Sequence, residues 1–95
     1  TVNAVHPGTL LDTEMVRESG TRPRGDVQEG ADSLRFLATS PSLDGLTGRF
    51  FDRRRETRAD GQAYDATARR ALYRKSVQLT GLAPEHVLPE QAAAR

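Results

Sequence analysis

The stretch Val2-Asn3-Ala4-Val5-His6-Pro7-Gly8 constrains this chain more than any other part of it. It reads as a buried strand that stops at a Pro-Gly turn and opens into the polar loop Thr9-Leu10-Leu11-Asp12-Thr13. Proline fixes φ and withholds its N–H, while glycine reaches angles closed to other residues. The strand must therefore end here, with backbone groups left facing whatever lies above the sheet. In an open α/β sheet, the space just past the carboxyl end of a strand is where ligands sit. The rest of the sequence reads as packing that supports, covers or completes this edge.

A chain of 95 residues has room for one small domain or part of a larger one. Its hydrophobic share of 36% and mean hydropathy of −0.64 are low for a self-sufficient core. A lone parallel strand would leave its ladder groups unpaired. The chain opens on Thr1, already inside such a strand, and is expected to be a piece of a longer polypeptide. A net charge of +1 gives no overall bias toward nucleic acid or membrane. The absence of cysteine excludes a disulfide framework and thiolate metal sites, and fits a reducing, cytoplasmic compartment. No apolar run approaches the roughly 20 residues of a membrane span, and no signal-peptide pattern precedes the first strand. Two histidines without a tight acidic cluster argue against a metal site.

After the opening strand, Asp12 is expected to cap a short helix over residues 13–18, ended by Gly20. Residues 21–25 form a loop with two breakers, suited to a mobile lid beside a ligand edge. Met15 and Val16, on the short helix of that lid, are candidates to touch substrate or merely pack the helix down. Asp26 opens a second helix with the pattern of a capping box, Glu29 standing at its acidic third position. Val27, Ala31, Leu34 and Leu37 or Ala38 recur at helical spacing as one apolar stripe. Gly30 lowers helix propensity, which points to close backbone packing. Residues 46–51, ending in Phe50-Phe51, form the second strand, with large apolar groups on opposite faces as in a sheet covered on both sides.

Residues 53–58 read as a charged connector and Asp60-Gly61 as a turn. The longest helix is expected over residues 64–80, with Tyr64, Ala68, Leu72 and Leu79 on one face, Gly81 at a left-handed cap, and Leu82 closing onto Val77. The domain is expected over residues 1–82, and residues 83–95 to fray. Two strands joined by a crossover helix make a right-handed parallel unit by default. Two strands make a poor sheet, so the remaining strands are expected from other sequence.

With Val2-Asn3-Ala4-Val5-His6-Pro7-Gly8, two later cues stand in order: Gly30-Ala31-Asp32 with Leu37-Ala38-Thr39, and Thr47-Gly48-Arg49-Phe50-Phe51. Together they resemble the C-terminal third of a short-chain dehydrogenase/reductase, after that family's Tyr-x-x-x-Lys motif. The resemblance covers residues 2 to about 82. It implies the C-terminal portion of a doubly wound, parallel-sheet Rossmann fold of the α/β class, with two strands, two main helices and one short lid helix. It implies an NAD- or NADP-dependent oxidoreductase as the parent, acting on an alcohol or ketone and assembling as a homo-oligomer. The 26–38 helix and the Phe50-Phe51 strand would face a partner subunit by analogy.

In the family, the Pro-Gly turn and a threonine a few residues on hold the nicotinamide carboxamide. By position these are Pro7, Gly8, Leu11 and Thr13. A neutral amide needs a donor and an acceptor, which backbone groups and a hydroxyl provide without charge. The commoner spacing has three residues between the glycine and that threonine, and this chain has four. Thr9 could share the role, or Asp12 could cap the short helix while Thr13 turns to the cofactor; Thr13 could equally be a helix-initiating residue with no ligand. The chain carries no glycine-rich cofactor turn and no Tyr four before a Lys, the pair that with a Ser handles the proton in this family. No catalytic residue is therefore assigned here, and the segment alone is expected to be inactive.

His6 could touch a ligand or be satisfied by the backbone. From Arg49 to Lys75, nine Lys/Arg stand against four acids. That excess is the argument for the other reading, a small non-enzymatic module binding nucleic acid or an acidic partner. No stacking aromatics are interleaved with these arginines, and a solvated face explains them. On the fragment reading, circular dichroism of the 95-residue chain is expected to show a broad, poorly cooperative melt, whereas a sharp two-state transition would count against it.

Overall fold

The computed structural model describes residues 1–89, which fall into two compact units, Thr1–Arg58 and a second from Ala59 onward. The first unit holds a three-stranded sheet in the order β1-β2-β3, formed by β1 (Ala4–His6), β2 (Phe50–Asp52) and β3 (Arg55–Thr57). β1 and β2 run parallel, with Ala4 opposite Phe50, Val5 opposite Phe51 and His6 opposite Asp52. The crossover between them carries a short helix, α1 (Glu14–Glu18), and a longer one, α2 (Val27–Thr39). This is the α/β arrangement of a partial Rossmann fold, and the parallel pairing follows the sequence expectation.

Three features of the sheet differ from that expectation. First, β1 is an edge strand of this sheet, with Val5 half-buried and Ala4 and His6 exposed, rather than an interior one. Second, β2 starts at Phe50 because Gly48, at φ 71°, turns the chain just before it. Residues 46–49 are still held to the start of the chain, partly by side chains acting where a ladder would. Gly48 N–H donates to Val2 O at 2.7 Å and Ala4 N–H to Arg49 O at 2.9 Å. The Asn3 amide donates to Leu46 O at 3.1 Å and accepts from Arg49 N–H at 2.9 Å.

Third, the charged connector contains β3, antiparallel to β2, with Phe51 opposite Glu56. Charged side chains are what an edge strand carries to discourage further pairing, and Arg49 pairs with Glu56 at 2.8 Å. The β2–β3 turn is Arg53-Arg54, of which only Arg53 has positive φ, at 58°. That is the φ signature of a type II′ turn, whose first position favours glycine.

Phe51 is the centre of the core at 2% exposure. Burial of such a side chain contributes about 1.5–3 kcal/mol, so the close packing around it matters. Asp26 caps α2 by accepting from Gln28 N–H at 2.9 Å. The capping box is only half formed, because the Glu29 carboxylate turns away to Arg53 instead. The buried positions of α2 are Gly30 and Ser33, and Ser33 Oγ is satisfied by donating to Glu29 O at 2.9 Å. The apolar stripe is not the core face: Val27, Ala31, Leu34 and Ala38 are exposed, Leu34 at 53%.

In the second unit, Asp60 caps a 3-10 turn, Gly61–Tyr64, and Asp65 caps α3 (Ala66–Thr80) by accepting from Thr67 and Ala68 N–H. The helix therefore starts two residues later than expected. Tyr64 belongs to the turn, its hydroxyl accepting from Ala59 N–H at 2.9 Å. Gly81 has φ 63°, and Leu82 N–H reaches Val77 O at 3.4 Å, the expected closure. Tyr73 and Val77 are half-buried, while Leu72 and Leu79 stand 70% and 74% exposed. A 3-10 turn, Pro84–His86, follows, and Tyr73 Oη accepts from Leu88 N–H at 3.0 Å. The expectation of fraying over 83–95 extends to residues 90–95, which lie outside the described residues.

Gly30 is as close-packed as its sequence context suggested. A β-carbon there would lie 2.5 Å from Leu11 Cδ1. Helix propensity alone would favour Gly30→Ala by about 1 kcal/mol, but overpacking of this kind costs about 1–3 kcal/mol. In urea titrations, G30A is expected to lower stability, and L11A/G30A to lose less than the two single changes combined.

Candidate functional site

The loop after β1 takes its shape from two backbone facts. Gly8 has φ 152°, and a β-carbon on it would lie 2.7 Å from Leu11 Cδ2. Leu10 has φ 49°, a left-handed conformation uncommon for a bulky residue. Together they carry the chain around so that the Leu11 side chain lies against three glycines. Its Cδ1 faces Gly30, and its Cδ2 faces both Gly8 and Gly25, where a β-carbon would come within 3.0 Å. Both methyls therefore face glycine backbone.

The neighbouring segment closes the other side. Asp12 N–H donates to Gly25 O at 2.8 Å and Arg24 N–H to Leu10 O at 2.9 Å, forming an isolated parallel bridge between Leu11 and Gly25. The end of the 21–25 loop, expected to be mobile, is thus zipped to the site. A shallow cavity of about 410 Å³ lies between Leu10 and Thr21, Arg22, Pro23 and Arg24.

Thr13, not Asp12, is the N-cap of α1: its hydroxyl accepts from Val16 N–H at 3.3 Å. Both residue types make good caps. Asp12 is drawn elsewhere, pairing with Arg17 at 2.9 Å while its N–H goes to Gly25. Thr13 N–H also donates to Leu11 O at 2.6 Å, tightening the step into the helix. His6 Nε2 lies 3.3 Å from Thr9 Oγ1, so its partner is a side chain rather than the backbone.

Pro7, Gly8, Leu11 and Thr13 therefore share one ordered loop, with Pro7, Gly8 and Leu11 half-buried and Thr13 exposed. On α1, Met15 is 78% exposed and Val16 half-buried. Sequence reasoning missed Gly25, Glu29 and Arg53 as supports of this loop. Gly25 was legible as a possible close approach; the pairing of Glu29 with Arg53, 24 residues apart, leaves no local signal.

The groups that Leu11 and Thr13 offer are neutral. A threonine hydroxyl has one donor and two acceptor lone pairs, and a backbone carbonyl has two acceptor lone pairs. Thr13 Oγ1, accepting from Val16, keeps its own proton to donate, and Leu11 O, accepting from Thr13, keeps a second lone pair. An uncharged group with one acceptor and one donor fits this set. Elsewhere in the unit, Arg49 and Arg53 are committed to carboxylates. No group of three or more His, Asp or Glu among the described residues could hold a metal ion, and none of their helices is long and apolar enough to cross a membrane.

Comparison with known proteins relates the chain to dehydrogenases. Retinol dehydrogenase 13 of Mus musculus is 30% identical over 109 residues, covering 99% of this chain and 32% of that protein. Polyprenol dehydrogenase of Mus musculus is 32% identical over 92 residues, covering 85% of this chain and 27% of that protein. Short-chain dehydrogenase TIC 32 B, chloroplastic, of Brassica napus is 30% identical over 94 residues, 88% of this chain and 29% of that protein. The chain spans about a third or less of the length of these curated relatives. No family model matches it, and no solved structure matches it at a significant level. The chain is distantly homologous to short-chain dehydrogenases, and its mixed sheet with helices is that of a Rossmann-like fold related to theirs.

Proposed function

We propose that this chain is the C-terminal part, over residues 1–82, of an NAD- or NADP-dependent short-chain dehydrogenase/reductase. In that enzyme it supplies the contact to the nicotinamide carboxamide and a lid over an alcohol or ketone substrate. The observation that carries this reading is the loop itself: an uncharged donor and acceptor, Thr13 Oγ1 and Leu11 O, joined by the Thr13 N–H···O bond of 2.6 Å and fixed by the packing of Leu11. The distant homology to dehydrogenases supports it from the side of descent.

The cofactor, when bound, supplies or accepts the hydride. This chain's part is positional. Leu11 O accepts an N–H of the carboxamide, Thr13 Oγ1 donates to its oxygen, and Pro7 with Gly8 keeps the backbone low enough for the ring to approach. Orientation of this kind lowers a barrier substantially, and a misplacement of about 1 Å can cost on the order of a hundredfold in rate. Met15 and Val16 shield the substrate from water, α1 being anchored at its start by Thr13. The proton-transfer residues and the glycine-rich turn belong to the rest of the enzyme, so this segment alone is inactive. We further propose a cytoplasmic homo-oligomer.

The coding sequence upstream of Thr1 tests the reading directly. An in-frame glycine-rich turn and a Tyr-x-x-x-Lys are expected, and an initiator codon immediately before Thr1 would sink the proposal. In the longer protein, Thr13→Ala is expected to raise the cofactor KM about two- to tenfold, the value of one hydrogen bond, with Thr13→Ser close to the parent. A KM that does not respond to Thr13→Ala removes this residue from the site.

A further inference from the structure

We propose that Glu29 and Arg53 are positioning residues, a clasp that holds the two ends of the 7–13 loop together across helix α2. The function assigned to that loop rests on the reading above; the clasp itself does not.

Arg53 reaches the loop at its start. Its backbone N–H donates to His6 O at 2.8 Å, directly before Pro7. Its side chain then turns to α2, where Nε donates to Glu29 Oε1 at 2.7 Å, while Nη1 donates to Asp52 Oδ1 at 3.0 Å. Glu29 reaches the loop at its other end: its Oε2 lies 3.1 Å from where a β-carbon on Gly25 would stand. Gly25 O in turn holds Asp12 N–H at 2.8 Å. Arg53 and Glu29 therefore join the end of β1 to α2, where the Glu29 carboxylate stands beside Gly25, the residue whose carbonyl holds Asp12 N–H; together they bracket Pro7, Gly8 and Leu11.

Arg53 also has φ 58° at the first position of its turn, where glycine is favoured. A residue held in an unfavourable conformation persists where its surroundings over-determine it, and here the determinants are the His6 and Glu29 bonds. Glu29 likewise gives up the reciprocal half of a capping box to make its pair. Both partners are about half exposed, at 44% and 43%. An exposed pair adds little to global stability, so its expected effect is local.

Amide hydrogen exchange of this chain, read at Asp12 and Arg24, tests the clasp. Glu29→Gln and Arg53→Gly are each expected to speed exchange at both amides about three- to fivefold, the range an exposed ion pair can supply. Arg53→Gly also relieves the positive φ, so its midpoint in urea is expected to hold or rise while the loop loosens. An effect on stability alone would not show that combination. Glu56→Gln, which breaks the comparably exposed Arg49 pair, is expected to leave both amides unchanged. Unaltered exchange in E29Q and R53G, or equal acceleration in E56Q, overturns the proposal. If exchange speeds up in E29Q but the cofactor KM of the longer protein does not change, the clasp stands and the carboxamide role of the loop fails.

Discussion

The geometry of the first unit depends on one side chain fitting between three glycines. Leu11 brings together a turn at Gly8, a loop end at Gly25 and a helix at Gly30, and β-carbons at these positions would lie 2.7, 3.0 and 2.5 Å from its methyls. The arrangement has a cost, since glycine inside a helix is about 1 kcal/mol worse than alanine. Burial of methyl groups, each worth about 0.8 kcal/mol, offsets it. What results is a loop path set by shape. Dispersion contacts fall off within an ångström, so a shape-determined path has a narrow minimum, which a weak ion pair alone would not provide.

Of the two non-glycine residues with positive φ among those described, Leu10 lies within that loop and Arg53 beside it. Strained residues of this kind cost on the order of 1–3 kcal/mol each. Leu10 is compelled by its neighbours: Leu11 is packed inward on one side, and Arg24 N–H takes the Leu10 carbonyl on the other. Arg53 is compelled by the need to meet His6 with its backbone and Glu29 with its side chain. The strain thus collects in and beside the loop, while Phe51 sits in an ordinary strand.

What the sequence disclosed was what local chemistry decides. Pro7-Gly8 ends β1, Asp26 caps α2, Gly81 closes α3, and Phe50-Phe51 form the parallel partner, all from signals within a few residues. The errors arose where two local answers competed or the arbiter was distant. Asp12 and Thr13 are both good caps, and the choice fell to Arg17, which draws Asp12 away. β3 was hidden because Arg55 and Glu56 look like a connector, although charge is how an edge strand is protected. Tyr64 continued the apolar rhythm of α3 and masked Asp65, the cap that splits turn from helix. For α2, periodicity located an apolar stripe but not its direction. The buried side went to Gly30 and Ser33, small residues of which Gly30 admits Leu11 and Pro7 of the loop. That Pro7, Gly8, Leu11 and Thr13 share one loop followed from their closeness in sequence, whereas the inward packing of the Leu11 side chain did not.

The same contacts that fix the loop also settle its charge. A carboxylate, a guanidinium and an imidazole all lie within or beside it, on Asp12, Arg17 and His6. Asp12 and Arg17 satisfy each other at 2.9 Å, and His6 lies against Thr9 Oγ1. On the far side, Arg53 is shared between Glu29 and Asp52. Among the groups that remain are the Thr13 hydroxyl proton and a second lone pair on Leu11 O. Charged donors would strengthen a contact but would also shift electron density in a bound ring, whereas neutral donors orient without doing so. On the proposed reading the loop holds an amide by such neutral groups, and the ion pairs at its edge neutralise one another.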